Sequence, residues 1–242
     1  MKLLIIRHGD PDYVNDTLTE VGHKEAALLA NYFADQTIDK VYVSPLGRAQ
    51  KTAEYTCKAK GLEATTLDWL REFPARILRP NEDERDVAWD WRPADWTAVE
   101  AFFDRTDWSG VPAMKEGGVP ELYASVIEGF DTLLAEHGYV REGNAYRVEA
   151  SNEDTVALFC HFGLECVLLS RLLNVSPMVL WHGTCAAPTS VTTIYTEERQ
   201  KGIAYFRMAE FGSVAHLTLG GQAPSFSARF CETYDRMDQR HD

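Results

Sequence analysis

Leu3-Leu4-Ile5-Ile6-Arg7-His8-Gly9 is the stretch on which the fold turns. Four consecutive apolar residues stopped by charge read as a strand buried on both faces, as in a parallel sheet covered by helices. The chain beyond it keeps alternating. Thr19 can cap a helix running to about Phe33, with Val21, Leu28, Leu29, Tyr32 and Phe33 on its apolar side. Lys40 to Val43 reads as a second strand. Ser44 then supplies an N-cap, Pro45 the first helical position and Gly61 the stop of the next helix. A short strand near Ala64 to Leu67 and a helix from Pro120 to about His137 follow. Next come a buried strand from Thr155 to Cys160, a helix from about Gly163 to Leu173, and a late strand pair, Val191 to Tyr195 and Ile203 to Met208. The tail after Ser225 is expected to be helical.

From Phe73 to about Val119 the pattern breaks. Trp89, Trp91, Trp96 and Trp108 sit among acidic residues, prolines and glycines without a long periodic run. The expected architecture is a three-layer α/β/α sandwich around a mostly parallel, doubly wound sheet. It forms a single domain over residues 1–242, in which 73–119 is a helical, Trp-rich insertion over the C-terminal edge of the strands. The tryptophans suit either a substrate pocket or the insertion's own small core and interface, which leaves a homodimer open.

A chain of 242 residues with 45% hydrophobic content can bury the core that such a domain needs. The net charge of −13, with no basic patch, argues against a nucleic-acid partner. A phosphorylated substrate would then be held by local cations, because the global field repels it. Five cysteines, at positions 57, 160, 166, 185 and 231, lack CxxC spacing and read as free thiols of a reducing compartment. The opening MKLLIIRHG is too short for a signal peptide, and no later run approaches a membrane span. The expected location is the cytoplasm.

Three strand ends carry chemistry: Ile6 is followed by Arg7 and His8, Val43 by Ser44 and Arg48, and Cys160 by His161. Ligands of open α/β sheets bind beyond the carboxyl ends of the strands, so these residues are expected at one edge. An imidazole there can attack phosphorus and form a phosphohistidine that water or another acceptor resolves. The attack requires a neutral ring with a fixed tautomer and cations around the equatorial oxygens. His8 is the candidate nucleophile and Arg7 a bidentate clamp beside it. Arg48, in the first turn of its helix, adds a second cation near unpaired N–H groups. His161 is a further donor, preferred over His182. Glu72 is the candidate acid for the leaving oxygen, with Glu165 the alternative. Cys160, His161, Glu165 and Cys166 lack the spacing of a metal site, and no cofactor is expected.

The segments LLIIRHG, LTEVGHKEA, VYVSPLGRAQKTAE, LREF and VALFCHFG, in that order between residues 3 and 163, resemble the histidine phosphatase superfamily, also called the phosphoglycerate mutase-like family. The resemblance implies His8 as nucleophile, Arg7, Arg48 and His161 as a phosphate pocket, Glu72 as acid and base, and catalysis without a metal. It also implies a phosphate-binding asparagine, displaced here to Asn15 at best. Pro11 stands where threonine is frequent, Glu25 where glutamine is usual, and Phe162 separates His161 from its glycine. The expected function is hydrolysis of a small phosphomonoester. The alternatives are a phosphoglycerate-type mutase with the same intermediate and a non-catalytic phospho-ligand sensor or scaffold.

Overall fold

The structure, a computed structural model, describes residues 1–80, 82–225, 227, 233, 235 and 236. The strands are β1 Lys2–Arg7, β2 Pro11–Asp12, β3 Thr17–Leu18, β4 Lys40–Val43, β5 Ala64–Thr66, β6 Arg76–Leu78, β7 Arg85–Val87, β8 Tyr139–Glu142, β9 Ala145–Val148, β10 Thr155–Cys160, β11 Val191–Gln200 and β12 Ile203–Ser213. The helices are α1 Glu20–Phe33, α2 Gly47–Lys60, α3 Pro93–Thr97, α4 Pro112–Glu116, α5 Val119–Glu136, α6 Phe162–Leu173, α7 Pro177–Gly183 and α8 Ala215–Leu219. Among the described residues no helix is long and apolar enough to cross a membrane. The expected tail helix after Ser225 and Cys231 fall largely or wholly outside the described residues. Cys57, Cys160 and Cys166 are buried free thiols.

Eight strands form one sheet in the order β5-β4-β10-β1-β11-β12-β9-β8. Its first half, β5 to β1, is parallel, whereas β1 pairs antiparallel with β11, and every ladder beyond is antiparallel. The expectation of a mostly parallel sheet is therefore corrected to a mixed one. The reason lies in the connections. A parallel neighbour needs a helical crossover, but β11–β12 and β8–β9 are joined by short turns at Gly202 and Gly143, both with positive φ. The β8–β9 hairpin and the helices α7 and α8 are elements that the hydrophobic periodicity does not announce.

Side chains alternate across the central strands. Leu3, Ile5, Val156, Leu158 and Cys160 join a core with α5, α6 and α7, and Leu4, Ile6, Ala157 and Phe159 join another with α1 and α2. That two-sided burial is the physical content of the continuous apolar runs in β1 and β10. Trp91, Phe102, Trp108 and Met114 of the 73–119 stretch are buried in the same core as α5 and α6. This stretch also contains the β6–β7 hairpin in addition to short helices. On α1, Thr19 accepts from Gly22 N as the N-cap. The buried stripe runs through Gly22, Ala26, Leu29 and Phe33, with Glu25 among them. Val21 and Tyr32 lie off that stripe and are exposed, contrary to expectation.

Leu158, in the middle of β10 and fully buried, is expected to cost about 2–5 kcal/mol when replaced by alanine. Val14, 93% exposed, should change stability by less than about 0.5 kcal/mol in the same replacement. Urea unfolding of the two variants checks the contrast.

Candidate active site

The parallel ladders are in level register. Arg7 pairs with Cys160, and Phe159 with Val43, so β1, β10 and β4 end side by side. The residues after those ends, His8, His161 and Ser44, therefore meet at one edge. The His8 and His161 ring centroids are 5.0 Å apart, and Ser44 Oγ lies 2.7 Å from His161 Nε2. All three residues and Arg7 are buried.

His8 Nδ1 lies 2.7 Å from Gly9 O, which can only accept, so the ring proton sits on Nδ1 and Nε2 carries a lone pair. Burial pushes the His8 pKa well below the usual histidine range, and the guanidinium groups of Arg7 and Arg48 add to that. The ring is neutral at physiological pH. Burial lowers the His161 pKa in the same direction, with further contributions from His8, Arg48 and Arg7. Ser44 Oγ already accepts from Leu46 N at 3.2 Å. Its hydroxyl can donate to His161 Nε2, an arrangement that places the His161 proton on Nδ1. This Nδ1 is buried and without a hydrogen-bond partner among the described residues, as are Arg7 Nε and Arg48 Nε.

Arg7 is oriented by main-chain carbonyls. Its Nη1 donates to Ala186 O, its Nη2 to Ser227 O at 3.5 Å, and its backbone N–H to Ser190 O at 3.1 Å. Arg48 is oriented by a carboxylate. Asp16 accepts from Arg48 Nη1 at 2.8 Å and from Gly47 N at 2.7 Å. Asp16 itself takes a left-handed φ of 46°, and a Cβ on Gly47 would lie 2.0 Å from its carbonyl oxygen. Two sequence expectations are corrected here. Ser44 is not the cap of α2, whose first N–H is held by Asp16, so that N–H is not open to a ligand. Asn15 is exposed, and its amide donates to Asp12 at 2.7 Å within the Asx turn in which Asp12 also accepts from Val14 N and Asn15 N.

Glu72 reaches the same edge from the loop after β5. Its carboxylate accepts from Phe73 N at 2.8 Å and from Leu164 N, in the first turn of α6, at 2.9 Å. A Cβ on Gly163 would lie 2.8 Å from both Glu72 Oε1 and Trp89 Nε1, so carboxyl and indole border each other. Burial raises the Glu72 pKa against the lowering effect of those N–H groups, Arg48 and Arg7. Glu165 is buried deeper, one turn into α6. It accepts from Thr192 Oγ1 at 2.5 Å, while its Oε2 has no partner. Burial pushes its pKa up to about 7. His182 lies apart from this group: it accepts from Trp91 N and stacks on Trp96, a structural role.

The structure thus gathers His8, Arg7, Arg48, His161 and Glu72, and leaves Asn15 outside. Asp16 and the carbonyls of Ala186 and Ser190 were not singled out in the sequence, where Ser44 was read as a helix cap and not as the partner of His161. Asp16 carries one signal, a carboxylate in a turn-rich loop, but no pattern pairs it with Arg48.

A buried, cation-flanked pair of neutral imidazoles at the carboxyl edge of an α/β sheet defines a class of site suited to an oxyanion. The comparisons with known proteins narrow that class. A profile of the histidine phosphatase superfamily, branch 1, matches residues 3–109, the segment that carries Arg7, His8, Arg48 and Glu72. A probable phosphoglycerate mutase of Yersinia enterocolitica is 31% identical over 103 residues, 38% of this chain and 48% of that protein. Phosphoserine phosphatase 1 of Hydrogenobacter thermophilus is 32% identical over 82 residues, 30% of this chain and 39% of that protein. The chain therefore spans less than half the length of these curated relatives. Among solved structures, a phosphoserine phosphatase of Entamoeba histolytica shares the fold with a TM-score of 0.56 at 19% identity, covering 89% of this chain and 98% of that one. A mycobacterial glucosyl-3-phosphoglycerate phosphatase does so with a TM-score of 0.57 at 19% identity, covering 88% and 98%. Over residues 3–109 the chain is similar to the histidine phosphatase superfamily, and it shares the fold of these solved phosphatases.

The raised pKa of Glu165 has a consequence for stability. A carboxyl that holds its proton more tightly when folded stabilises the fold fully below its unfolded value near 4.5, and that contribution is lost as pH rises to about 7. Replacing Glu165 by glutamine should remove a pH-dependent loss of roughly 3 kcal/mol between those limits. Urea unfolding of wild type and Glu165→Gln at pH 4.5 and pH 8 checks it: the variant gains relative to wild type at the higher pH. Equal differences at both pH values would contradict it.

Proposed function

We propose that this protein is a phosphohydrolase that removes phosphate from a small phosphomonoester through a phosphohistidine on His8. One observation carries the reading. His8 is held neutral, with its proton on Nδ1 tied to Gly9 O, so that Nε2 is the atom free to attack. The groups around it supply the rest of the chemistry. Arg7 and Arg48 both bear on His8 electrostatically and both keep an unpaired Nε, which suits the equatorial oxygens of a transferring phosphoryl group. His161 contributes its Nδ1–H as a neutral donor rather than as a cation.

Glu72 is the acid. Burial raises its pKa, which favours the protonated form that transfer of a proton to the leaving alkoxide requires. After the leaving group departs as an alcohol, the carboxylate takes a proton from water as water attacks the phosphohistidine, and phosphate is released. The two guanidinium groups neutralise the developing charge, so the reading needs no metal. Glu165 is the weaker candidate for the acid, because its one hydrogen bond among the described residues, from Thr192, is fully internal. The sequence kinship with a probable phosphoglycerate mutase favours one second reading, in which a sugar-acid hydroxyl replaces water as acceptor.

The full-length chain is expected to hydrolyse an aryl phosphate and to do so unchanged in EDTA. His8→Ala should lower kcat at least about a thousandfold, the scale of losing a nucleophile. No turnover by the wild type across a broad phosphoester panel would overturn the reading, and interconversion of phosphoglycerates without net phosphate release would favour the second. Glu72→Gln should slow alkyl phosphates by about 10²–10⁴-fold and aryl phosphates much less, because a phenolate leaves without a proton. Glu165→Gln showing that selectivity instead would move the acid to Glu165.

A further inference from the structure

Behind the nucleophile stands a residue in an unusual conformation. Thr189, in the loop between α7 and β11, has a φ of 58° and is fully buried. A β-branched residue adopts the left-handed region only where its surroundings hold it there. Its backbone N–H donates to His8 O at 3.0 Å, the bond that ties the main chain of the nucleophile to this loop. The neighbours of Thr189 hold Arg7: Ser190 O accepts from Arg7 N, and Ala186 O accepts from its guanidinium.

The hydroxyl of Thr189 shows what holds it. Its Oγ1 lies 2.7 Å from Pro188 O and 2.8 Å from His216 Nε2, at the start of α8. Pro188 O can only accept, so the hydroxyl hydrogen is spent there and His216 must donate from Nε2. Burial pushes the His216 pKa down to about 4, which keeps the ring neutral with its single ring proton on that atom. The ring is buried, with its centroid 6.2 Å from that of Tyr32. A cavity of about 410 Å³, lined also by Lys2, Tyr32, Gln36 and Glu210, opens beside it.

We propose that His216 and Thr189 form a positioning pair that fixes the main chain of His8 and Arg7 from outside the phosphate pocket. His216 locks the hydroxyl, the locked hydroxyl keeps Thr189 in its left-handed conformation, and that conformation directs the Thr189 N–H at His8 O. The functional consequence rests on the proposed role of His8 as nucleophile; the link through the main chain does not.

Three variants of the full chain test it. His216→Leu keeps bulk but loses the donor, and should lower kcat for an aryl phosphate about 10–100-fold, the cost of a nucleophile displaced by about an ångström. His216→Gln can present an amide N–H at the same place and should stay within about threefold of wild type. Thr189→Gly tolerates φ 58° without strain, so it should fold at least as well, yet lose kcat as His216→Leu does. Wild-type kcat in Thr189→Gly, or an equal loss in His216→Gln and His216→Leu, would overturn the pair. If His216→Leu does not fold, Thr189→Gly and the Thr189 amide decide: that amide should exchange as slowly as the β1–β10 ladder, and fast exchange would overturn it. Should the wild type prove inactive, the proposed function falls but the pair is still read from the His8 ring. Its nitrogen chemical shifts should move in His216→Leu and not in His216→Gln.

Discussion

Level register among β4, β10 and β1 is the constraint on which the site depends. Because these parallel ladders end together, the residues just past them come within hydrogen-bonding or ring-contact distance although they lie more than a hundred positions apart in the chain. A slip of one residue in either ladder would turn His8 or His161 toward the opposite face of the sheet. Burial of β1 and β10 on both faces is what forbids that slip, since each alternate set of side chains already has its own core. Stability and site geometry therefore share one cause.

Within that frame, charge is arranged by exclusion of water. The imidazoles stay neutral chiefly because they are buried, and the nearby guanidinium groups reinforce this. The same cations act in the opposite sense on Glu72, whose pKa is nonetheless raised by burial. Arg7 and the Asp16-paired Arg48 sit among neutral histidines, beside a carboxyl whose pKa burial raises, in a chain whose net charge is −13. Local geometry outweighs the global field because screening and distance weaken the latter.

Main-chain groups do much of the positioning. Gly9 O sets the tautomer of His8, and Ala186, Ser190 and Ser227 carbonyls aim Arg7. Glu25 adds a buried carboxylate that joins Asp10 N to Ser225 N, which brings the loop after His8 against the chain at Ser225. Asp16 does the corresponding work for Arg48. Supports of this kind leave little trace in a sequence, because any residue can offer a carbonyl.

What the amino-acid sequence determined by itself was local and periodic. The apolar runs at 3–6 and 155–160, the cap at Thr19, the stop at Gly61 and the order of the Arg-His-Gly, Ser-Pro-x-x-Arg and second-histidine segments were enough for the layered α/β class and for the residues His8, Arg7, Arg48, His161 and Glu72. The tertiary structure decided what depends on distant partners. It made half of the sheet antiparallel, buried Glu25 and exposed Val21, moved Asn15 out of the site and brought Asp16 in, and set a strained Thr189 and a distant His216 behind His8. Periodicity reports which face of an element is apolar. It cannot report which carbonyl, carboxylate or hydroxyl from elsewhere in the chain will satisfy a given donor, because that is settled only when the chain has closed on itself.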